Sequence, residues 1–168
     1  MTLQLRPMTV EEFAAFRIYE IDDHAGDLSL RDQISIEDAQ ELAQSQFEAL
    51  LPQGANTDGH EFHTVLEDEH SVGKLWIREE RRSDKDRRVV VWKIEIDEPF
   101  RGRGLGRELM KLVERLALEK EARAIELYVF GHNARARALY ESLGYQVLGT
   151  QMRKELHPLE GELKRRND

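Results

Sequence analysis

Six consecutive residues, Arg101-Gly102-Arg103-Gly104-Leu105-Gly106, combine three glycines with two arginines, and Arg107 follows. Glycine adopts dihedrals that other residues avoid and lets the main chain come close to a ligand. A glycine-rich turn that opens a helix aims several backbone N–H groups, and the positive end of the helix dipole, at one point. That arrangement can hold phosphate oxygens. Cations at a helix N-terminus are otherwise unfavourable, so Arg101, Arg103 and Arg107 suggest an anionic ligand that compensates them.

The spacing narrows the choice of anion. A Walker A loop needs Lys-Ser or Lys-Thr after its last glycine, and neither follows here. A dinucleotide fingerprint needs Gly-x-Gly-x-x-Gly early in a βαβ array, whereas this chain has Gly-x-Gly-x-Gly well past its middle. A glycine turn that merely joins a strand to a helix is the remaining alternative.

The elements that must position this loop can be read from periodicity. Alternation over residues 3–6 predicts a strand that Pro7 stops. Thr9 and Glu12 have capping-box spacing and predict a helix to about residue 22. A polar connection follows over 22–34, with Asp22, Asp23 and Asp27 as solvated loop acids. Ser35 opens a second helix with Ile36, Ala39, Leu42, Ala43, Phe47, Leu50 and Leu51 at helical spacing, which Pro52-Gln53-Gly54 ends. Strands are predicted over 62–66, 72–77 and 89–96. The run at 78–88, charged except for Ser83, reads as the exposed arm and turn of a hairpin in an antiparallel meander.

After the loop, Leu105, Leu109, Leu112, Val113 and Leu116 mark an amphipathic helix ending near Glu121. The apolar stretch 125–130 predicts a strand parallel to the one before the helix. Asn133 opens a short helix that Gly144 stops, and 145–148 with 151–156 predict a closing hairpin. The order is βααβββαβαββ: an α/β (α+β) fold, a mixed, mostly antiparallel twisted sheet with helices on both faces. Residues 1–156 are expected to form one domain, and 157–168 a charged C-terminal tail.

The composition sets limits. With 40% hydrophobic and 35% charged residues, 168 residues suit one soluble domain with a real core. The absence of cysteine excludes disulfides, cysteine nucleophiles and thiolate metal sites. No stretch approaches the roughly 20 apolar residues that span a bilayer, so no membrane and a cytoplasmic location are expected. The net charge of −8 argues against nucleic acid as the main partner. It also hides an asymmetry: residues 1–70 hold sixteen acids and three bases, and the remainder seventeen acids and twenty-two bases. The acidic part could face a cationic partner.

Arg101-x-x-Gly104-x-Gly106 resembles the acyl-CoA loop of the GNAT superfamily of N-acetyltransferases. Asn133 with Ala138-Leu139-Tyr140-Glu141-Ser142-Leu143-Gly144-Tyr145 is similar to that family's Asn-x-x-Ala-x-x-Leu-Tyr-x-x-Leu-Gly-Phe segment, and Met152-Arg153-Lys154-Glu155-Leu156 to its closing strand. Two departures stand out: Ala134 replaces a frequent proline, and Pro99 lies one position nearer Arg101 than is usual.

The resemblance implies acetyl-CoA as co-substrate. Its pyrophosphate would sit on the backbone of Arg101, Gly102, Arg103, Gly104, Leu105 and Gly106, with Arg107 nearby. A bulge in the strand before the loop would splay it from the strand after the helix. The pantetheine arm would pair with the backbone of Ile94, Glu95 and Ile96, as an added strand does. Asn133 would cap its helix and hydrogen-bond pantetheine. Tyr140 would protonate the leaving thiolate, and Glu95 would accept the amine's proton, with His63, Glu61 and Asp97 as rivals. His60 and His63 have a metal-compatible spacing but no third ligand, so no metal is expected. The acceptor is expected to be a small-molecule or peptide amine, its cationic character matched by the acidic first helices. A homodimer is compatible with such a domain. The competing readings are a non-catalytic acyl-CoA sensor, a transferase for longer acyl chains or hydroxyl acceptors, and an interaction protein on an inactive fold.

Overall fold

The computed structural model describes residues 2–83, 85–154 and 156. Its centre is a five-stranded sheet: β1 (Leu3–Pro7), β2 (His60–Glu67), β3 (His70–Ser83), β4 (Asp86–Ile96) and β5 (Ala124–Leu127), side by side in chain order. The first four strands are antiparallel and β5 pairs parallel to β4. The connection between those last two is α3 (Leu105–Glu119), the helix that the glycine loop opens.

Helices cover both faces, as the alternation of the strands requires. On one face Leu105, Leu109, Val113 and Ala117 of α3 repeat every fourth residue and bury against Val65, Leu75, Ile77, Val89 and Val91. On the other, Phe16 of α1 (Val10–Asp32) and Phe47 of α2 (Ile36–Leu50) pack on Phe62 and Trp76. Beyond the sheet α1 and α2 meet through Ala25, Leu28, Ala39 and Ala43, the three alanines letting the helices approach closely around Leu28.

Local chemistry fixes several boundaries as expected. Thr9 Oγ1 accepts from Glu12 N (3.2 Å) and Glu12 Oε2 accepts from Thr9 N (2.8 Å), a complete capping box. Ser35 Oγ accepts from Asp38 N to start α2. Asn133 Oδ1 accepts from Ala136 N (3.1 Å) to start α4 (Ala134–Ser142). Residues 78–83 and 86–88 of the charged run form the far arms of the β3–β4 hairpin; Arg88 there pairs with Glu126 of β5.

Three expectations need correction. First, α1 does not stop near residue 22 but runs to Asp32, so most of the supposed polar connection is helix. Ile21, Ala25 and Leu28 continue its inner face onto α2, and this packing outweighs Gly26 and the acids on the outside. Second, β5 leaves the ladder at Leu127 rather than Phe130, because its partner β4 bulges at that level. Third, among the described residues no strand follows α4, so the order ends βαβα and the closing hairpin is not formed. Alternation supplies the side chains of a strand but not a partner, and a lone two-stranded hairpin is marginal in water. Val147, Leu148 and Met152 are exposed. This segment is tied down by Arg153, which donates to the Arg31 carbonyl (2.7 Å) and pairs with Asp32 (3.0 Å) at the end of α1. The tail expected at 157–168 lies outside the described residues.

Candidate active site

The site is created by a defect in the sheet. The β3–β4 register shifts so that Ile77 faces Val91 while Trp76 faces Lys93, leaving Trp92 without a partner. Pairing of β4 with β5 ends at the same level, at Val91 and Leu127. Beyond it, residues 93–96 remain paired to β3 alone, and their other backbone edge faces a widening gap. A cleft of 1360 Å³ opens there. Its lining runs from the loop at Arg101, Gly102, Gly104, Leu105, Gly106 and Arg107, past Ile94, Glu95 and Ile96, to Asn133 and Tyr140, and then to α1.

The loop itself has the geometry an anion needs. Gly102 and Gly104 have φ of 81° and 82°, in the left-handed region. Gly104 is the N-cap of α3, so the first N–H groups of that helix have no intrahelical acceptor. A Cβ added at either glycine would meet nothing within 4 Å, so their outward sides are open. Arg101 is braced by its Nε donating to the Ile96 carbonyl (2.7 Å), and Arg107 by Nη2 donating to Ser142 Oγ (2.7 Å) on α4. Arg103 does not line the cleft: its guanidinium turns away to Glu67 of β2 through two contacts of 3.0 and 3.1 Å. Its main chain alone is left to serve the loop.

Ile94 and Ile96 pack their side chains into the α3-side core and leave their backbone at the gap. Alternation sends Lys93 and Glu95 to the opposite face, toward α1. Tyr19 Oη donates to the Glu95 carboxylate, 2.8 Å from each oxygen. Lys93 Nζ is 3.2 Å from Glu95 Oε2, and Arg101 Nη2 is 3.4 Å and Lys74 Nζ 3.7 Å from Oε1. Glu95 is therefore enclosed by three cations and a phenol. Lys74 also lies 3.9 Å above the Tyr19 ring and 3.4 Å from Asp97. Burial, and then the bond to Glu95, push the Tyr19 hydroxyl well above the usual phenol range.

Two residues of α1 complete the cluster. Lys93 hydrogen-bonds Asp23 and lies 3.3 Å from Glu20 Oε2. That second approach is off the donor direction: Glu20 Oε2 is buried and accepts no hydrogen bond. The two partners respond differently to this pairing. Burial lowers Lys93, but Glu20, Asp23 and Glu95 together outweigh it and keep the ammonium charged. For Glu20 burial dominates over the pull of Lys93, and Asp23 and Glu95 add repulsion, so its carboxyl is pushed up to about 7. Sharing explains the asymmetry: Lys93 divides its charge among three carboxylates, and Glu20 has the poorest geometry of the three.

Tyr140 lines the cleft from α4, and burial raises its hydroxyl. Farther along, His132 Nε2 meets Asp27 Oδ1 at 2.9 Å, joining the segment before α4 to α1 across the cleft. The rivals to Glu95 stand elsewhere. Glu61 and His63 bond each other at 3.1 Å, Glu61 also bonds Lys120, and neither lines the cleft. Asp97 also lies outside the lining. His60 faces the other way, its Nδ1 accepting from Trp76 Nε1 at 2.9 Å. His60 and His63 thus do not converge on one point.

The sequence reading missed Tyr19, Glu20, Lys93 and the role of Asp23. Lys93 could have been flagged as a second charged residue at the spacing of Glu95 in an apolar strand. Tyr19 and Glu20 gave no signal, because only the tertiary placement of α1 brings them to β4.

A parallel-joined β4–α3–β5 unit, split at a bulge and fronted by a glycine-rich helix N-terminus, belongs to a known class. Residues 20–145 match the family model described as acetyltransferase (GNAT) family. The chain is a member of the GNAT acetyltransferase family. Over 157 residues it is 32% identical to the uncharacterized N-acetyltransferase YycN of Bacillus subtilis, covering 93% of this chain and 100% of that one. The YycN crystal structure superposes with a TM-score of 0.87 over 93% of this chain and 99% of YycN. A shorter likeness, 36% over 67 residues, links 39% of this chain to 44% of the spermine/spermidine N(1)-acetyltransferase of B. subtilis.

Proposed function

We propose that the protein transfers an acetyl group from acetyl-CoA to a primary amine on a cationic small molecule or peptide, by direct attack. The observation that carries this reading is the single cleft that joins the glycine cradle, the open backbone edge of β4, Tyr140 and the carboxylates of α1.

In this reading residues 1–156 act as one domain. The N–H groups of the loop and first turn of α3, with Arg101 and Arg107 on the rim, hold the diphosphate. The free edge of Ile94, Glu95 and Ile96 takes the pantetheine amides as an added strand, with Asn133 beside it. The amine attacks the thioester carbonyl and its carbon–sulfur bond breaks. A main-chain N–H at the gap stabilises the oxyanion. Tyr140 gives its proton to the departing sulfur, and its raised hydroxyl keeps that proton available at neutral pH. Glu95, locked between Tyr19, Lys93, Lys74 and Arg101, orients the acceptor wall rather than exchanging protons. Glu20, Asp23 and Asp27 favour a cationic acceptor; the likeness to a polyamine acetyltransferase supports this class.

The test is release of free thiol from acetyl-CoA against a library of polyamines, aminoglycosides, peptide amines and neutral or anionic amines. Turnover with cationic members is expected. Turnover confined to neutral or anionic amines would reject the acceptor class, and tight CoA binding without any turnover would favour an acyl-CoA sensor. Tyr140→Phe should lower kcat by about 100-fold with CoA affinity unchanged.

A further inference from the structure

Resting on the transferase reading above, we infer that Glu20, and not Glu95, is the residue that takes the proton from the acceptor's ammonium. Amine transfer begins with a difficulty: an alkylammonium has a pKa near 10, and only the neutral amine attacks. A base near the thioester must therefore remove a proton, and its own affinity for that proton should be close to the working pH.

Glu95 is poorly arranged for this. Both of its oxygens accept from Tyr19, and three cations stand within 3.7 Å. A proton added there must displace those contacts. Glu20 is arranged in the opposite way. It lines the same cleft, its side chain is only 12% exposed, and the one cation beside it, Lys93 at 3.3 Å from Oε2, makes no hydrogen bond to that oxygen. It stands on α1, which covers the face of β4 that carries Lys93 and Glu95, and so belongs to the wall of the cleft that an amine would enter. Its charged neighbours are Asp23 on its own helix and Lys93 and Glu95 on β4, with Lys74 of β3 and Arg101 beyond Glu95. Titration of Glu20 is thus coupled to Lys93 above all, and its carboxyl raised to about 7 matches the requirement.

The proton balance closes. The ammonium gives one proton to the Glu20 carboxylate, and the neutral amine forms the new carbon–nitrogen bond. The nitrogen's second proton leaves as the tetrahedral carbon collapses, the carbon–sulfur bond breaks, and the thiolate takes the Tyr140 proton. Water carries the nitrogen's second proton back to Tyr140 and removes the first from Glu20. Lys93 acts as a positioning residue: its ammonium holds Asp23 and Glu95 and lies 3.3 Å from Glu20 without a hydrogen bond to it.

The experiment compares wild type, Glu20→Gln, Glu20→Asp and Glu95→Gln across pH 6 to 10 with the best amine from the library. Wild-type kcat/KM is expected to rise through a limb near pH 7. Glu20→Gln should lose that limb, fall about 100-fold in kcat at pH 7, and recover toward wild type as pH approaches the amine's own pKa. Glu20→Asp should keep the limb at reduced rate, and CoA binding followed by calorimetry should be the same in all four. A Glu20→Gln profile that retains the limb, or a Glu95→Gln profile that loses it, would overturn the assignment. A wild type that acetylates no amine at any pH would instead overturn the transferase reading itself and this assignment with it.

Discussion

At the scale of single residues, the strongest consequence comes from the unequal bargain between Glu20 and Lys93. Burial pushes the Glu20 carboxyl up to about 7 in the folded chain, against about 4.5 for an exposed glutamate. Between those values the folded state binds more protons than the unfolded one, so stability falls as pH rises, and it levels off above the folded value. Glu20→Gln removes that slope. The stability difference between variant and wild type should shift in the variant's favour by on the order of 1–3 kcal/mol between pH 4.5 and 7. Paired thermal melts over pH 4 to 8 check this, and a difference that stays level across that range would refute it.

At the scale of elements, two glycines do different work. A Cβ on Gly73 of β3 would lie 2.2 Å from the Glu95 carbonyl oxygen, a main-chain atom that cannot rotate away. Gly73→Ala should therefore push β4 off β3, cost more than about 3 kcal/mol and abolish activity, as read by a urea melt and a thiol assay. Gly104 has open space around its Cβ position, but its φ of 82° strains any other residue. Gly104→Ala should cost only about 1 kcal/mol in stability while weakening CoA binding at least tenfold, because the added methyl stands in the cradle.

Elements also show what the sequence made legible. Thr9 with Glu12, Asn133, the α3 stripe and the alternation of β2 to β4 are local signals, and each element formed where its own residues specified it. The rest depended on partners. α1 continued past Gly26 because Ala39 and Ala43 of α2 receive Ala25 and Leu28. Residues 145–154 had a strand's pattern and no adjoining ladder. The cradle could be read from its glycines, whereas Tyr19 and Glu20 became part of the site only once a 23-residue helix crossed the face of β4.

At the scale of the whole molecule, charge is divided between the two ends of the cleft. The acids concentrated in residues 1–70 supply Glu20, Asp23 and Asp27, while the basic remainder supplies Arg101 and Arg107 at the cradle. Lys93 offsets part of the acidic wall, so attraction of the acceptor should be moderate and long-ranged rather than a single tight ion pair. Raising salt from 50 mM to 1 M shrinks the screening length to about 3 Å. KM for a cationic amine should then rise several-fold with kcat nearly constant, and KM for a neutral amine should stay level. Equal salt responses for both amines would show that the wall does not steer the acceptor. Among the described residues no helix is long and apolar enough to cross a membrane.

The bulge that opens the cleft has one more consequence, an optical one. The chain has two tryptophans, and both line this cleft: Trp92, turned out of the ladder, stacks on Trp76 with ring centroids 5.4 Å apart and planes 23° from parallel. All indole emission therefore originates at the site. Two transition dipoles held this close should also give a paired band of opposite signs in circular dichroism. Filling the gap beside β4 should change both signals with no added label, so the protein carries its own reporter of when the cleft is occupied.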